Sequence, residues 1–163
     1  MQENLPVAEG EESPHFLSIN LADYKKLFNG AIIPLGMAIV ACFLLVKVSS
    51  LDFSALVIQR LALPIMAGLA ILSFVHSALQ KHKLKKVQAI GDFDEKAEAY
   101  QRVYRFRLLW FVISGLTCCF LFLFSRHNLF LYFALFDTLL LWSNYPNQQI
   151  FKRELENEDI IFY

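Results

Sequence analysis

The chain has 163 residues, of which 56% are hydrophobic and 16 are phenylalanine, and its formal net charge is zero. Soluble domains average about 45–50% apolar residues, so this composition is too hydrophobic for an ordinary soluble domain. The neutral charge gives no support for a nucleic-acid partner, and no nucleic-acid recognition module accompanies the basic residues. Length and composition therefore favour a membrane protein with one domain.

The N-terminal segment 1–15 is acidic and contains two prolines. This composition is typical of disordered chain, so we expect a disordered acidic tail here. The first twelve residues carry four acidic residues and no Lys or Arg. They therefore lack the basic start of a cleavable signal peptide.

The segment 16–29 has an apolar stripe at helical spacing, formed by Leu17, Leu21, Tyr24 and Phe28. Asn29 and Gly30 follow, and such a pair is a typical helix stop. The pattern predicts a short amphipathic helix that lies in the membrane interface. The alternative is that this segment folds back onto the cytosolic face of the bundle.

Four apolar runs follow, and a helix needs about 20 apolar residues to cross a bilayer. They predict a four-helix transmembrane bundle over 30–146, with spans at about 31–48, 61–79, 108–124 and 129–145. A soluble helical bundle would need polar faces at helical spacing, and these runs have none. The predicted fold class is therefore an all-α, polytopic membrane protein.

The distribution of Lys and Arg predicts the orientation of the four spans. With four spans, the N-terminus, the segment 80–107 and the C-terminal tail 147–163 lie on one side of the membrane. That side carries twelve Lys and Arg residues, and the other side carries three. Cytoplasmic segments hold the excess of basic residues, so we expect a plasma or inner membrane protein with both termini in the cytoplasm.

The segment 80–107 contains one glycine and no proline. Gly91 is expected to end one helix in a left-handed conformation, and Asp92 with Glu95 is typical of a capping box that starts the next. We therefore predict that the second and third helices extend into the cytosol as an antiparallel hairpin.

Four lysines lie just beyond the second span: Lys81, Lys83, Lys85 and Lys86. Basic residues at this position usually determine topology. Each one also adds about 1 kcal/mol of attraction to an anionic membrane surface. These lysines are thus topology determinants first, and candidate contacts for anionic lipid second.

The sequence contains no motif for a catalytic, cofactor-binding or metal site. The three cysteines lie inside predicted spans at spacings that fit no zinc or redox motif. No phosphate-binding glycine loop, nucleophile elbow or zinc-protease motif is present. We therefore predict no catalytic residue, no cofactor and no metal, and expect a protein that is not an enzyme.

Asp137 lies within the fourth apolar run, where an unpaired carboxylate costs about 2.5–3.5 kcal/mol to insert. It should therefore face the bundle and have a polar partner. Ranking the candidates by depth gives an intramembrane polar layer of Asp137, Thr117 and Ser73, with His76 at its margin. This layer is either a proton- or cation-coupled site or a set of hydrogen bonds that hold helices together.

Three classes of function fit these features. We favour a non-enzymatic subunit or scaffold that anchors or assembles a partner at the membrane. The alternative is a small proton- or ion-coupled transporter that uses Asp137, and a membrane enzyme ranks last. The expected partners are the lipid bilayer and either another protein or a second copy of this chain, with no nucleic acid.

Overall fold

The computed structural model describes residues 18–48, 60–158 and 160–163, and 84% of these residues are helical. The predicted all-helical fold is confirmed. The tail predicted over 1–15 lies outside the described residues. The elements are β1 (Ser18–Ile19), α1 (Leu21–Val48), α2 (Ala62–Gln88), α3 (Phe93–Ser125), α4 (Asn128–Ser143), α5 (Gln148–Leu155) and β2 (Ile161–Phe162).

Three helices, α1, α2 and α3, are long and apolar enough to cross a membrane. Helix α4 is also apolar, but it has 16 residues and is therefore about 24 Å long. Only 11% of the most apolar window of α2 is buried within the chain. Such an all-round apolar helix is stable when lipid or another apolar surface surrounds it.

Helix α1 is one continuous helix, so the prediction of a separate interfacial helix that ends at Asn29 and Gly30 is wrong. The reason is that the apolar stripe continues across Gly30 in the same register. Its buried members, in order, are Tyr24, Phe28, Ala31, Leu35, Ile39 and Cys42. A glycine inside a helix costs about 1 kcal/mol relative to alanine, and the burial of this stripe outweighs that cost.

The connection between α2 and α3 is four residues long, from 89 to 92. Asp92 caps α3 as predicted, because its Oδ1 accepts hydrogen bonds from the backbone N–H groups of Asp94 and Glu95, both at 2.9 Å. Gly91 is not left-handed, so that prediction is wrong: no glycine in the described ranges has a positive φ. The extended backbone of Asp92, with φ −75° and ψ 129°, redirects the chain instead.

Helices α3 and α4 meet at a tight turn. Arg126 ends α3 in the left-handed conformation, with φ 53°, and the His127 side chain caps α4 by accepting from the backbone N–H of Leu129. The buried stripe of α4 consists of Phe130, Ala134, Asp137 and Leu141. Small buried residues on α3 allow a close approach of α1: a Cβ placed on Gly115 would lie 2.7 Å from Leu35 Cδ1. This close contact contributes to the packing of α1 on α3.

Candidate functional site

The two ends of the described chain meet in one structure, which we call the cap: β1, α5 and β2. The strands pair in parallel, with Ser18 opposite Ile161 and Ile19 opposite Phe162. The pairing continues into α1, because the Leu21 N–H donates to the Tyr163 carbonyl at 3.1 Å. The cap therefore joins the first and last described residues beside the helix ends of the bundle.

An aromatic cluster attaches the cap to α1 and α3. Phe151 of α5 is fully buried, and its ring centroid lies 4.8 Å from that of Tyr24. Tyr100 and Tyr104 of α3 complete the cluster, with ring centroids 6.0 and 5.2 Å from that of Tyr24. Edge-on and tilted aromatic pairs at these distances each add about 0.5–1.5 kcal/mol beyond their burial. The cluster therefore holds α5 firmly on the two long helices.

A buried polar group lies beside the aromatic cluster, centred on Glu154. Its Oε1 pairs with Arg107 Nη1 at 2.9 Å, and its Oε2 accepts from the Tyr100 hydroxyl at 2.7 Å. The backbone carbonyl of Glu154 accepts from Gln88 Nε2 at 2.9 Å. The side chains of Arg107 and Glu154 are 12% and 14% exposed, so water screens the pair weakly. Glu154 thus ties α5 to both α2 and α3.

The tyrosines of the cluster are held in their neutral form. Burial raises the pKa of Tyr24, Tyr100 and Tyr104 well above the usual value of 10.0. For Tyr100, the negative charge of Glu154 and the hydrogen bond to it raise the pKa further. The cap therefore depends on hydroxyl groups that keep their protons across the physiological pH range.

A cavity of about 530 Å³ lies between α2, α3, α4 and α5. One face of α2 contributes half of its wall, and the other three helices contribute the rest. The lining residues are Ser73, His76, Ser77, Gln80, Lys81, Leu84, Gln88, Arg107, Trp110, Phe111, Leu140, Asn144, Arg153 and Glu154. Ligand pockets commonly measure about 300–1,000 Å³, so this cavity has the size of a ligand site.

His76 and Gln80 form a buried polar pair in the cavity wall. Gln80 Nε2 lies 3.1 Å from His76 Nε2, and each residue is 6% exposed. The His76 ring stacks on Trp110, with centroids 4.5 Å apart and ring planes 9° apart. Gln80 Oε1 is buried and has no hydrogen-bond partner among the described residues. The pair is thus held in place, and one polar atom of the Gln80 amide is left for a further contact.

The charges of the cavity lie near its polar end. Arg107 and Glu154 compensate each other, while Lys81 and Arg153 form no ion pair within the part of the chain that the structure describes. Of the four lysines predicted as candidate lipid contacts, Lys81 lines the cavity. Lys83 lies 3.8 Å from the centroid of the Phe106 ring, and Lys85 and Lys86 are exposed. The cavity therefore has an excess of positive charge.

Asp137 lies on the buried stripe of α4 and is 2% exposed, as expected for an intramembrane carboxylate that faces the bundle. Ser114 and Cys118 of α3 lie beside it. Asp137 Oδ2 and Ser114 Oγ each have no hydrogen-bond partner among the described residues. Asp137 thus occupies the α3–α4 interface.

The structure does not bring the four residues of the predicted polar layer together. Thr117 is exposed, and its hydroxyl donates to the Ile113 carbonyl of its own helix at 2.8 Å. Ser73 and His76 line the cavity, and Asp137 does not. Depth along the membrane normal gives a residue's height but not the helix face on which it lies, which explains the error. Ser114 of α3, in a stretch rich in small residues, was the neighbour of Asp137 to find, because small residues mark helix contacts.

The described residues contain no group of three or more His, Cys, Asp or Glu side chains that could hold a metal ion. Cys42, Cys118 and Cys119 are buried free thiols. Comparisons of the chain with family profiles, with curated proteins and with solved structures found no match. The cap, the cavity and Asp137 are therefore the features of this chain that point to a function.

Proposed function

We propose that this chain is a four-span membrane protein of the plasma or inner membrane, with both termini in the cytoplasm, that acts as a non-enzymatic subunit or scaffold. In this proposal the cap is the surface that holds a partner at the membrane. The pairing of β1 with β2 is the observation that supports the proposal most directly.

The pairing supports an even number of membrane crossings. The Tyr163 N–H donates to the Ile19 carbonyl at 3.3 Å, so the two ends of the described chain lie side by side. A chain that crosses a bilayer an odd number of times would place these ends about 30 Å or more apart, on opposite sides. With α1, α2 and α3 all crossing, an even number of crossings requires that α4 crosses as well.

Helix α4 is short for this role, and its surroundings offset the deficit. Its length of about 24 Å is less than the hydrocarbon thickness of about 30 Å, a mismatch that local thinning of the bilayer accommodates at modest cost. Trp142 and Tyr145, which are 64% and 42% exposed, lie at its C-terminal end, where aromatic residues anchor a span at the headgroup level. These residues support the span at about 129–145.

The cap supports a binding role over a catalytic one. Its buried side chains include Ile19, Phe151 and Leu155, and the Glu154–Arg107 ion pair joins α5 to α3. This arrangement stabilises a surface. The exposed side of α5 includes Gln148 and Gln149, which lie beside the open surface around Pro146 and Asn147. Loop and helix-end residues held by a rigid scaffold are the common location of binding surfaces.

Site-specific cross-linking in intact membranes tests the binding role. A photo-reactive residue at Gln149 should form a defined adduct with another protein or with a second copy of the chain. A photo-reactive residue at Leu139, which is 69% exposed on the apolar helix α4, is the matched control. Adducts from Leu139 but none from Gln149 would contradict the role of the cap.

A small proton- or ion-coupled transporter is the second candidate, and Asp137 favours it. The carboxylate is buried without a hydrogen-bond partner for Oδ2 in the described ranges, and intramembrane acids are commonly functional. Leu140, in the cavity wall, is one helical turn from Asp137, about 4.5 Å along the axis. Asp137→Asn keeps a polar side chain that cannot titrate. If the chain is such a transporter, this variant should abolish pH-dependent flux in vesicles while the amount of protein in the membrane stays unchanged.

A further inference from the structure

We propose that the cavity between α2, α3, α4 and α5 is a binding site for one anionic phospholipid whose headgroup carries a hydroxyl group. This inference rests on the membrane placement given in the proposed function, but it is independent of the partner that the cap holds.

The cavity lies at the level where lipid headgroups are found. Lys81 is two residues beyond the second predicted span, Arg107 immediately precedes the third, and Asn144 is at the end of the fourth. Three spans thus place the polar wall of the cavity at one membrane boundary. Trp110, stacked on His76, lies at the same level, as aromatic residues at the interface do.

The two ends of the cavity match the two parts of a phospholipid. Lys81 and Arg153 lie at the polar end and form no ion pair within the described ranges, so a phosphate group would find two cations there. Phe111 and Leu140 lie toward the membrane and offer an apolar surface for an acyl chain. A fully soluble anion would leave that apolar surface unused.

Gln80 selects for a hydroxyl group on the headgroup. One polar atom of its buried amide is used by His76 Nε2, and the other has no partner among the described residues. A buried polar atom without a partner costs about 1–3 kcal/mol, so a ligand that satisfies it binds more tightly. The free atom is shielded from solvent, so binding requires a rotation of the Gln80 amide that presents it to the ligand. A hydroxyl group both donates and accepts, and it then satisfies the amide whichever of its two atoms is presented.

The position of Lys81 separates this site from general attraction to the membrane surface. Lys81 shares the cavity-lining face of α2 with Gln80 and Leu84, whereas Lys86 is exposed and does not line the cavity. Both lysines are close to the membrane and carry the same charge. If the cavity is a specific site, Lys81 should contribute more than Lys86 to the affinity for the lipid. If the attraction is non-specific, the two lysines should contribute equally.

Native mass spectrometry of the purified, delipidated full-length protein tests the site. Phosphatidylglycerol should bind at least tenfold more tightly than phosphatidylcholine. Phosphatidylpropanol has the same charge but no headgroup hydroxyl, and it should bind about fivefold more weakly than phosphatidylglycerol. Glycerol phosphate and inorganic phosphate should not displace phosphatidylglycerol at matched concentrations, because they lack an acyl chain.

Variants assign the contacts. Lys81→Gln and Arg153→Gln should each weaken the affinity for phosphatidylglycerol about fivefold, and Lys86→Gln should change that affinity less than twofold. Gln80→Leu should remove the preference for phosphatidylglycerol over phosphatidylpropanol, which depends on the hydroxyl group. The same variant should keep the preference for phosphatidylglycerol over phosphatidylcholine, which depends on charge. Lys81 and Arg153 are exposed, so their variants test the site even if Gln80→Leu folds poorly.

Three results would overturn the proposal. Equal affinity for phosphatidylglycerol and phosphatidylcholine would reject an anionic ligand, and an equal effect of Lys81→Gln and Lys86→Gln would reject the cavity. Displacement by glycerol phosphate or inorganic phosphate would make the ligand a soluble phosphate. None of these results alters the side of the membrane on which the termini lie, so the topology in the proposed function is tested separately.

Discussion

Replacement of Glu154 by alanine should weaken the attachment of the cap while leaving the bundle folded. The change leaves the guanidinium of Arg107 and the hydroxyl of Tyr100 without the carboxylate to which they donate at 2.9 and 2.7 Å. Breaking a buried ion pair from one side costs about 3–5 kcal/mol. Because the two side chains are 12–14% exposed and Arg107 keeps its bond to Asn144 Oδ1, we expect the lower limit, about 3 kcal/mol.

Hydrogen exchange of the peptide that covers α5 measures this effect directly. The amides of α5 exchange when the cap opens, so a loss of about 3 kcal/mol should lower their protection about 100-fold. Glu98→Ala is the matched control, because Glu98 pairs with Arg102 at 3.8 Å with both side chains more than 70% exposed. An exposed pair contributes about 0–1 kcal/mol. Equal protection of α5 in the two variants would refute the role assigned to Glu154.

Three further predictions test the packing, the titration and the topology. Gly115→Ala should lower the melting temperature of the purified protein, because the new Cβ would lie 2.7 Å from Leu35. Gly68→Ala is the control and should not lower it, because its Cβ would meet nothing within 4 Å. Equal shifts in melting temperature for the two variants would exclude the close contact. The raised pKa of Tyr24, Tyr100 and Tyr104 stabilises the cap fully below the unfolded value of 10.0, and this contribution should be lost as pH rises above it. Near-ultraviolet circular dichroism of the cap tyrosines can follow this loss, and a signal that is lost well below pH 10 would contradict it. A reporter that is active only outside the cytoplasm should be active when fused at His127 and inactive at the C-terminus, and the reverse pattern would overturn the proposed orientation.

The helices were the most predictable part of the fold, because apolar length and capping residues are local signals. The apolar runs predicted the long apolar stretches of α1, α2 and α3, and Asp92 marked the start of α3. The stop predicted at Asn29 and Gly30 was wrong because a local glycine signal competed with a buried stripe that continues on both sides of it. Burial decided the outcome, and burial depends on a neighbouring helix.

The cap and the cavity could not be predicted from local patterns. Glu154 meets Arg107 and Tyr100 across 47 and 54 residues of chain, and no periodicity in the sequence relates these positions. The polar layer was predicted from depth alone, so Thr117 was placed at the correct height but on the wrong face of α3. Contacts of this kind depend on how the helices are rotated about their axes, which a single sequence does not specify.

The pairing of β1 with β2 also sets an order of events during synthesis. Ser18 and Ile19 find their partners only after Ile161 and Phe162 have left the ribosome. By then the apolar helices between them have been made, so the bundle inserts before the cap closes. Until that moment Tyr24 lacks the ring of Phe151, and α5 has no surface on which to pack. A chain interrupted before residue 161 would therefore hold its helices in the membrane with the cap unclosed, so a closed cap marks a chain that has been made at least as far as β2.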